Sequence, residues 1–239
     1  MKARQMQHPT WRDLWAFLIY FVFSQVLLTA LTFFFPAFHH SKAMQPMAFL
    51  LVSALTSLCV IGFLAWSHRH QLKSKIVHQL KTLKGYARAI LLSYVIYIII
   101  NAFVVRALNY LPKTWQFNNT ANQKALLMLF QDKSWLPLVF IVLVVLTPIT
   151  EELLFRHILI GELGKKFGFI TMGSLSVLIF TLLHVQTAAT PFEAIPYLMM
   201  ALLFVFMYIY TRCNIVVSIV LHMIVNGISF LSIILQNVS

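Results

Sequence analysis

Glu151, Glu152 and Arg156 lie within six residues of one another, inside an apolar run extending from about Leu136 to Leu163. An ionised side chain in hydrocarbon costs at least about 2.5 to 3.5 kcal/mol, so such groups pair with one another and serve a pathway or a site. On a helix Glu152 and Arg156 stand at i,i+4 with the acid N-terminal, the better orientation for a pair, and Glu151 points about 100° away. One acid can thus be neutralised locally while the other stays free for chemistry.

Two later apolar runs carry further polar groups at helical spacing. Phe180 and His184 share one helix face, and so do His222 and Asn226. A lone histidine near a membrane-helix end is more often an interfacial hydrogen-bonding group, and an isolated His/Asn pair can simply bond across helices. Those bland readings weaken when the stretches are combined, because together they supply an acid, a base and hydrogen-bond donors. A carboxylate beside an imidazole can hold and deprotonate a water for general-base hydrolysis of an amide. A neighbouring His and Asn can donate to the oxyanion that develops.

Glu151-Glu152-x-x-x-Arg156, Phe180-x-x-x-His184 and His222-x-x-x-Asn226, in this order on successive apolar runs, resemble the CPBP family of CAAX-prenyl-protease and bacteriocin-processing (Abi-type) intramembrane endopeptidases. The resemblance covers about 136–235, which it marks as the catalytic core. It implies that Glu151 and His184 activate the attacking water, that His222 and Asn226 stabilise the oxyanion, and that Glu152, Arg156 and Phe180 are supporting residues. It further implies a peptide or protein substrate, lipidated or a bacteriocin or signalling precursor, with roles in processing or self-immunity. The family leaves metal dependence open. No cofactor is favoured here, since there is no HExxH and each helix offers one clear ligand; zinc, if bound, would take Glu151, His184 and His222. Rival readings are a non-catalytic immunity or scaffold protein of the same fold and a proton-coupled transporter. The transporter has less support, because repeated halves are not evident.

The elements that must position these residues follow from composition. The 239 residues are 60% hydrophobic and 10% charged, with mean hydropathy +0.84, which excludes a soluble globular domain. An all-α, multi-pass bundle in the cell membrane is expected, as one domain over 1–239, in contact with lipid. A bilayer core of about 30 Å takes about 20 apolar residues per helix. Seven runs qualify, roughly Leu14 to Phe35, Met47 to Trp66, Ala87 to Leu108, Leu136 to Leu163, Ile170 to Thr187, Ala194 to Tyr210 and Asn214 to Leu235. The first is too long for a signal-peptide core, so the mature chain is expected to begin near Met1. The +12 net charge lies in short connections rather than in a nucleic-acid patch. Twelve basic residues, including Lys2, Arg4, Arg12 and the set from Arg69 to Arg88, fall on one side of the spans, against five on the other, among them Lys42. That asymmetry places the N-terminus in the cytoplasm.

A depth problem remains. A straight fourth span beginning at Leu136 would leave Glu151 and His184 about 13 Å apart along the membrane normal. Leu136 to Leu163 is over-long, about 42 Å, so it must tilt, protrude or break, and Pro148 is the natural place for distortion. The site is then expected in mid-bilayer, in a water-filled cavity between the fourth, fifth and seventh helices. Outside it, His68 to Arg88 reads as a basic surface helix or a solvated loop, His157 as a supporting or interfacial group, Phe204 to Phe206 as lipid-facing or core packing, and Glu193 as a solvated loop acid.

Overall fold

A computed structural model describes residues 8–41 and 44–238. Met1, Lys2, Arg4 and Lys42 lie outside the described residues, as does Ser239. No strand occurs among the described residues, and the chain is an all-helical bundle. Among the described residues six helices are long and apolar enough to cross a membrane: α1 (Trp11–Phe34), α2 (Gln45–Ser67), α3 (Arg69–Leu108), α4 (Lys133–Phe167), α6 (Pro191–Tyr210) and α7 (Ile215–Gln236). Between α4 and α6 runs α5 (Phe169–His184), an apolar helix of 16 residues and about 24 Å. With it the count agrees with the expected seven.

Helix ends fall where local chemistry puts them. Pro46 and Pro137 occupy first-turn positions, where a missing N–H is harmless. Gly168, at φ +91°, makes the tight turn from α4 into α5, a conformation that a side chain would strain. Between α6 and α7, Arg212 and Cys213 both adopt positive φ, costing about 1 to 2 kcal/mol each. Asn214 helps hold that turn, its Oδ1 capping α7 by accepting from Val216 N and Val217 N.

The His68 to Arg88 stretch is neither a loop nor a separate surface helix. It is the first half of α3, whose 40 residues make a rod of about 60 Å, twice the hydrocarbon thickness. No proline interrupts Arg69–Leu108, and once nucleated a helix adds one hydrogen bond per residue, so the apolar span propagates into the basic segment. Asn214 ties this extension to the start of α7, donating to Thr82 Oγ1 at 2.9 Å and Gln79 O at 3.3 Å.

The larger apolar core gathers Leu154, Phe155 and Ile158 of α4 with Phe180 of α5, Phe204 and Tyr208 of α6 and Leu221 of α7. A smaller one joins Leu50, Val139, Val142 and Phe230 to Leu129 and Phe130 of the connection before α4. Gly161 of α4 leaves room for the Tyr208 side chain of α6, since an added Cβ would stand 2.5 Å from its hydroxyl oxygen.

Candidate active site

α4 presents the acids on an irregular helix. Its 35 residues include two stretches wound with wide i→i+5 turns, Ile141–Leu146 and Glu152–Leu163, on either side of the α-helical turn Thr147–Glu151. Pro148 is the second residue of that turn. Its ring would press on the carbonyl one turn back, and a widened preceding turn relieves that contact without ending the helix. The distortion expected at Pro148 therefore takes the form of π turns. Wide turns rotate the chain less per residue than an α-helix, which brings the adjacent Glu151 and Glu152 closer to one face.

Glu152 is fully buried and saturated with partners. Its Oε1 lies 3.1 Å from Arg156 Nη1 and 2.9 Å from His222 Nδ1, and its Oε2 accepts from the Ser218 hydroxyl. The i,i+4 pair read from the sequence is thus present. The Arg156 N–H groups are not aligned with any acceptor, so Coulomb attraction rather than a directed hydrogen bond holds the pair. The guanidinium is also packed against two rings, 4.7 Å from the centre of Phe180 and 5.2 Å from that of Phe204. Cation–π contacts of this kind strengthen when desolvated.

Glu151, 7% exposed, takes no direct hydrogen bond among the described residues. Its Oε2 faces His222 Nε2 at 3.7 Å, too long for a hydrogen bond and close enough for both atoms to contact one water. His222 is thus set between two carboxylates. With Nδ1 engaged by Glu152, Nε2 is the ring nitrogen that faces Glu151. Phe204 stacks on the imidazole at 4.2 Å and fixes its plane.

His184 and Asn226 stand one contact further out. His184 closes α5 and is half-buried; its Nδ1 donates to Phe180 O at 2.8 Å, leaving Nε2 as the free ring nitrogen. The imidazole is stacked between Phe180 at 4.3 Å and Tyr197 at 5.0 Å, and Phe180 in turn meets His222 edge-on at 6.2 Å. Asn226 donates Nδ2 to Leu143 O at 2.9 Å, joining α7 to the first π stretch of α4. Glu151, Glu152, Arg156 and His222 therefore touch directly, whereas His184 joins them through Phe180 and Asn226 docks one turn beyond His222.

Residues 133–228 match the family described as Type II CAAX prenyl endopeptidase Rce1-like. That segment resembles the core of the CPBP, or CAAX-protease, family. That core holds all seven residues that the resemblance singled out. Comparison with curated proteins and with solved structures finds no match.

Other features around the acids differ from expectation. Glu193 is not solvated but 3% exposed; its Oε1 accepts from Ala189 N at 2.9 Å and its Oε2 from Ala121 N at 2.6 Å, pinning the connection before α4 to the start of α6. Thr120 adds a 2.6 Å bond to Tyr197, the residue that stacks on His184. Phe204 is a fully buried site residue, whereas Phe206 is 59% exposed. Ser218 was missed, although Asn214, Ser218, His222 and Asn226 recur every fourth residue and mark a polar seam along α7. Among the described residues two grooves, of about 390 and 350 Å³, are lined by α7 residues from Ile228 to Gln236 and by residues between Leu28 and Phe49, and neither is lined by the acids. Nor do Glu151, His184 and His222 converge as a ligand set. Among the described residues, one group of three His, Cys, Asp or Glu brings ligand atoms within 4.8 Å of one another, and it is Asp13, His68 and His157.

Proposed function

We propose that this protein is an intramembrane endopeptidase that hydrolyses a peptide bond of a membrane-associated or lipidated substrate, with Glu151 as general base. The observation that carries the reading is the asymmetry of the two acids. Glu152 is consumed by Arg156, His222 and Ser218, while Glu151 stands unbonded beside the free nitrogen of the same imidazole.

In this reading a water between Glu151 and His222 gives its proton to Glu151 as its oxygen bonds to the scissile carbonyl carbon. The oxyanion is received by donors from His222 and Asn226, whose amide nitrogen keeps a second N–H after bonding Leu143. His184, with Nε2 free, serves with Glu151 in delivering the proton to the departing amine nitrogen as the C–N bond breaks. Two carboxylates against one guanidinium leave the cluster one negative charge, so a single transferable proton makes it neutral, a favourable state for buried groups. The residues fit this metal-independent route better than a Glu151/His184/His222 zinc site, because those three donors do not converge. Phe180 and Phe204 pack on Arg156 and His222, and both acids are buried, so the helices must part to admit a substrate.

The whole chain acts as one membrane unit with a cytoplasmic N-terminus, as its basic residues dictate. Its substrates are drawn from lipidated protein C-termini and from bacteriocin or signalling-peptide precursors. Incubating purified protein with prenylated and unmodified membrane peptides, followed by mass spectrometry, tests the assignment. Cleavage products are expected from the wild type and not from Glu151→Gln. Equal cleavage by both proteins, or by neither across all peptides, removes the proposal.

A further inference from the structure

Three ionisable side chains outside the family motifs meet at the basic end of the bundle, each from a different element. Asp13 of α1 is fully buried, and His68, in the turn between α2 and α3, places Nε2 at 2.8 Å from its Oδ2 and 3.0 Å from its Oδ1. His157 of α4 brings its own Nε2 to 3.8 Å from the same Oδ2. The two imidazoles are edge to face, with centres 5.9 Å apart, and the three ligand atoms all lie within 4.8 Å of one another.

A hydrogen-bonded Asp13–His68 pair accounts for two of these residues and gives no reason for the third. At 3.8 Å His157 is too distant to bond the carboxylate, yet it aims a nitrogen at the oxygen that His68 already uses. One cation between the three atoms explains that convergence. Zinc holds His nitrogens and carboxylate oxygens at about 2.0 to 2.2 Å, so a tetrahedral site sets neighbouring ligand atoms about 3.3 Å apart. The two carboxylate–imidazole spacings depart from that by about 0.5 Å, one short and one long, and the two ring nitrogens lie within 4.8 Å of each other.

The surroundings suit a ligand set. Ser67 Oγ reaches Asp13 Oδ1 at 3.5 Å, the limit of a hydrogen bond, and so orients the carboxylate with Oδ2 toward both histidines. Two neighbouring cations are engaged elsewhere, Arg12 on the Ser67 carbonyl and Lys165 on Glu162 at 2.6 Å. Lys75 and Glu162 act on His157 with opposite signs. The Asp13 side chain has no exposure, while those of His68 and His157 retain 14% and 19%, so the mouth of the cluster opens on the histidine side.

We propose that Asp13 Oδ2, His68 Nε2 and His157 Nε2 form a binding site for a divalent transition-metal ion of the zinc class, with a fourth position open to solvent. Two imidazoles and a carboxylate with one open position are an established zinc set. Such an ion ties α1 and the α2–α3 turn, both outside the family-matched segment, to α4 six residues beyond Glu151. The proposal does not rest on the endopeptidase reading.

The test uses tag-free, full-length protein in detergent, stripped with a chelator and titrated separately with Zn²⁺ and Co²⁺. Wild type is expected to retain one ion per chain, to show the visible absorption of low-symmetry Co²⁺, and to melt at a higher temperature with Zn²⁺. His157→Ala leaves the Asp13–His68 pair intact and is expected to weaken binding at least about tenfold, with the thermal shift lost. His157→Gln serves the same purpose should the alanine variant not fold. Glu151→Gln and His184→Ala are expected to bind as wild type. Failure of the wild type to retain either ion, binding unchanged in both His157 variants, or loss of binding in Glu151→Gln overturns the proposal.

Discussion

Nδ1 of His222 stands 2.9 Å from Oε1 of Glu152, so the second acid of the pair, not the first, sets the orientation of the imidazole. Glu152→Gln should therefore act on structure as well as on rate. It removes the carboxylate in direct contact with the fully buried Arg156, a loss of about 3 to 5 kcal/mol, visible as a lower melting temperature. Glu151→Gln, which breaks no direct hydrogen bond, should abolish cleavage with little change in melting. Equal destabilisation by the two substitutions would contradict the division of roles.

Arg156→Met should match the damage of Glu152→Gln, because it strands the opposite charge. The double variant should recover much of the loss, since replacing both members of a buried pair by uncharged groups is often neutral. A double-mutant cycle measured by chemical or thermal unfolding gives the coupling directly, and strict additivity of the single effects would show that the pair does not interact.

Phe204 lies under both the guanidinium and the imidazole. Phe204→Ala should cost about 3 to 5 kcal/mol as a core cavity. Phe204→Leu fills most of that space without a ring face, so its expected signature is a fall in kcat larger than its modest thermal shift. Wild-type kcat in Phe204→Leu would mean that stacking on His222 has no part in positioning it.

Glu193→Ala removes the carboxylate that receives two backbone N–H groups. The expected cost is roughly 2 to 4 kcal/mol at charge-assisted strength. Limited proteolysis should show faster cutting between Leu108 and Lys133, with His184-dependent activity reduced through the Thr120–Tyr197 contact. Unchanged proteolysis would place Glu193 outside the support of the site.

A strong chelator should leave peptide cleavage intact. Any ion removed comes from Asp13, His68 and His157, so the chelator's effect on melting should disappear in His157→Ala while that variant still cleaves. Zinc-reversible loss of cleavage in both wild type and His157→Ala would move the metal to Glu151 and overturn the metal-independent reading.

Much of the fold was readable because hydrophobic length and helical spacing are local properties. Seven apolar runs, the i,i+4 relation of Glu152 to Arg156 and the His222/Asn226 face all reappear as helices and as neighbours on them. The reading failed where a contact joins distant segments. The stretch from His68 to Arg88 read equally as a surface helix or a loop; it is helical, but as the continuation of α3, because nothing stops the helix and Asn214 secures the rod from 132 residues away in sequence. Glu193 sits in a turn whose composition suggests water, and its burial is decided by Ala121, 72 residues earlier. No periodicity connects Asp13, His68 and His157, since each comes from a different element.

By itself the sequence determined that the chain must lie in a membrane as helices and that acids, histidines and an arginine must meet there, because neither backbone nor charge can be left unsatisfied in hydrocarbon. Only the tertiary structure decided which acid is bound and which is free. That choice depends on the wide turns of α4 on either side of Pro148 and on the side of α7 that Ser218 and His222 offer to them, a matter of packing between segments some 70 residues apart.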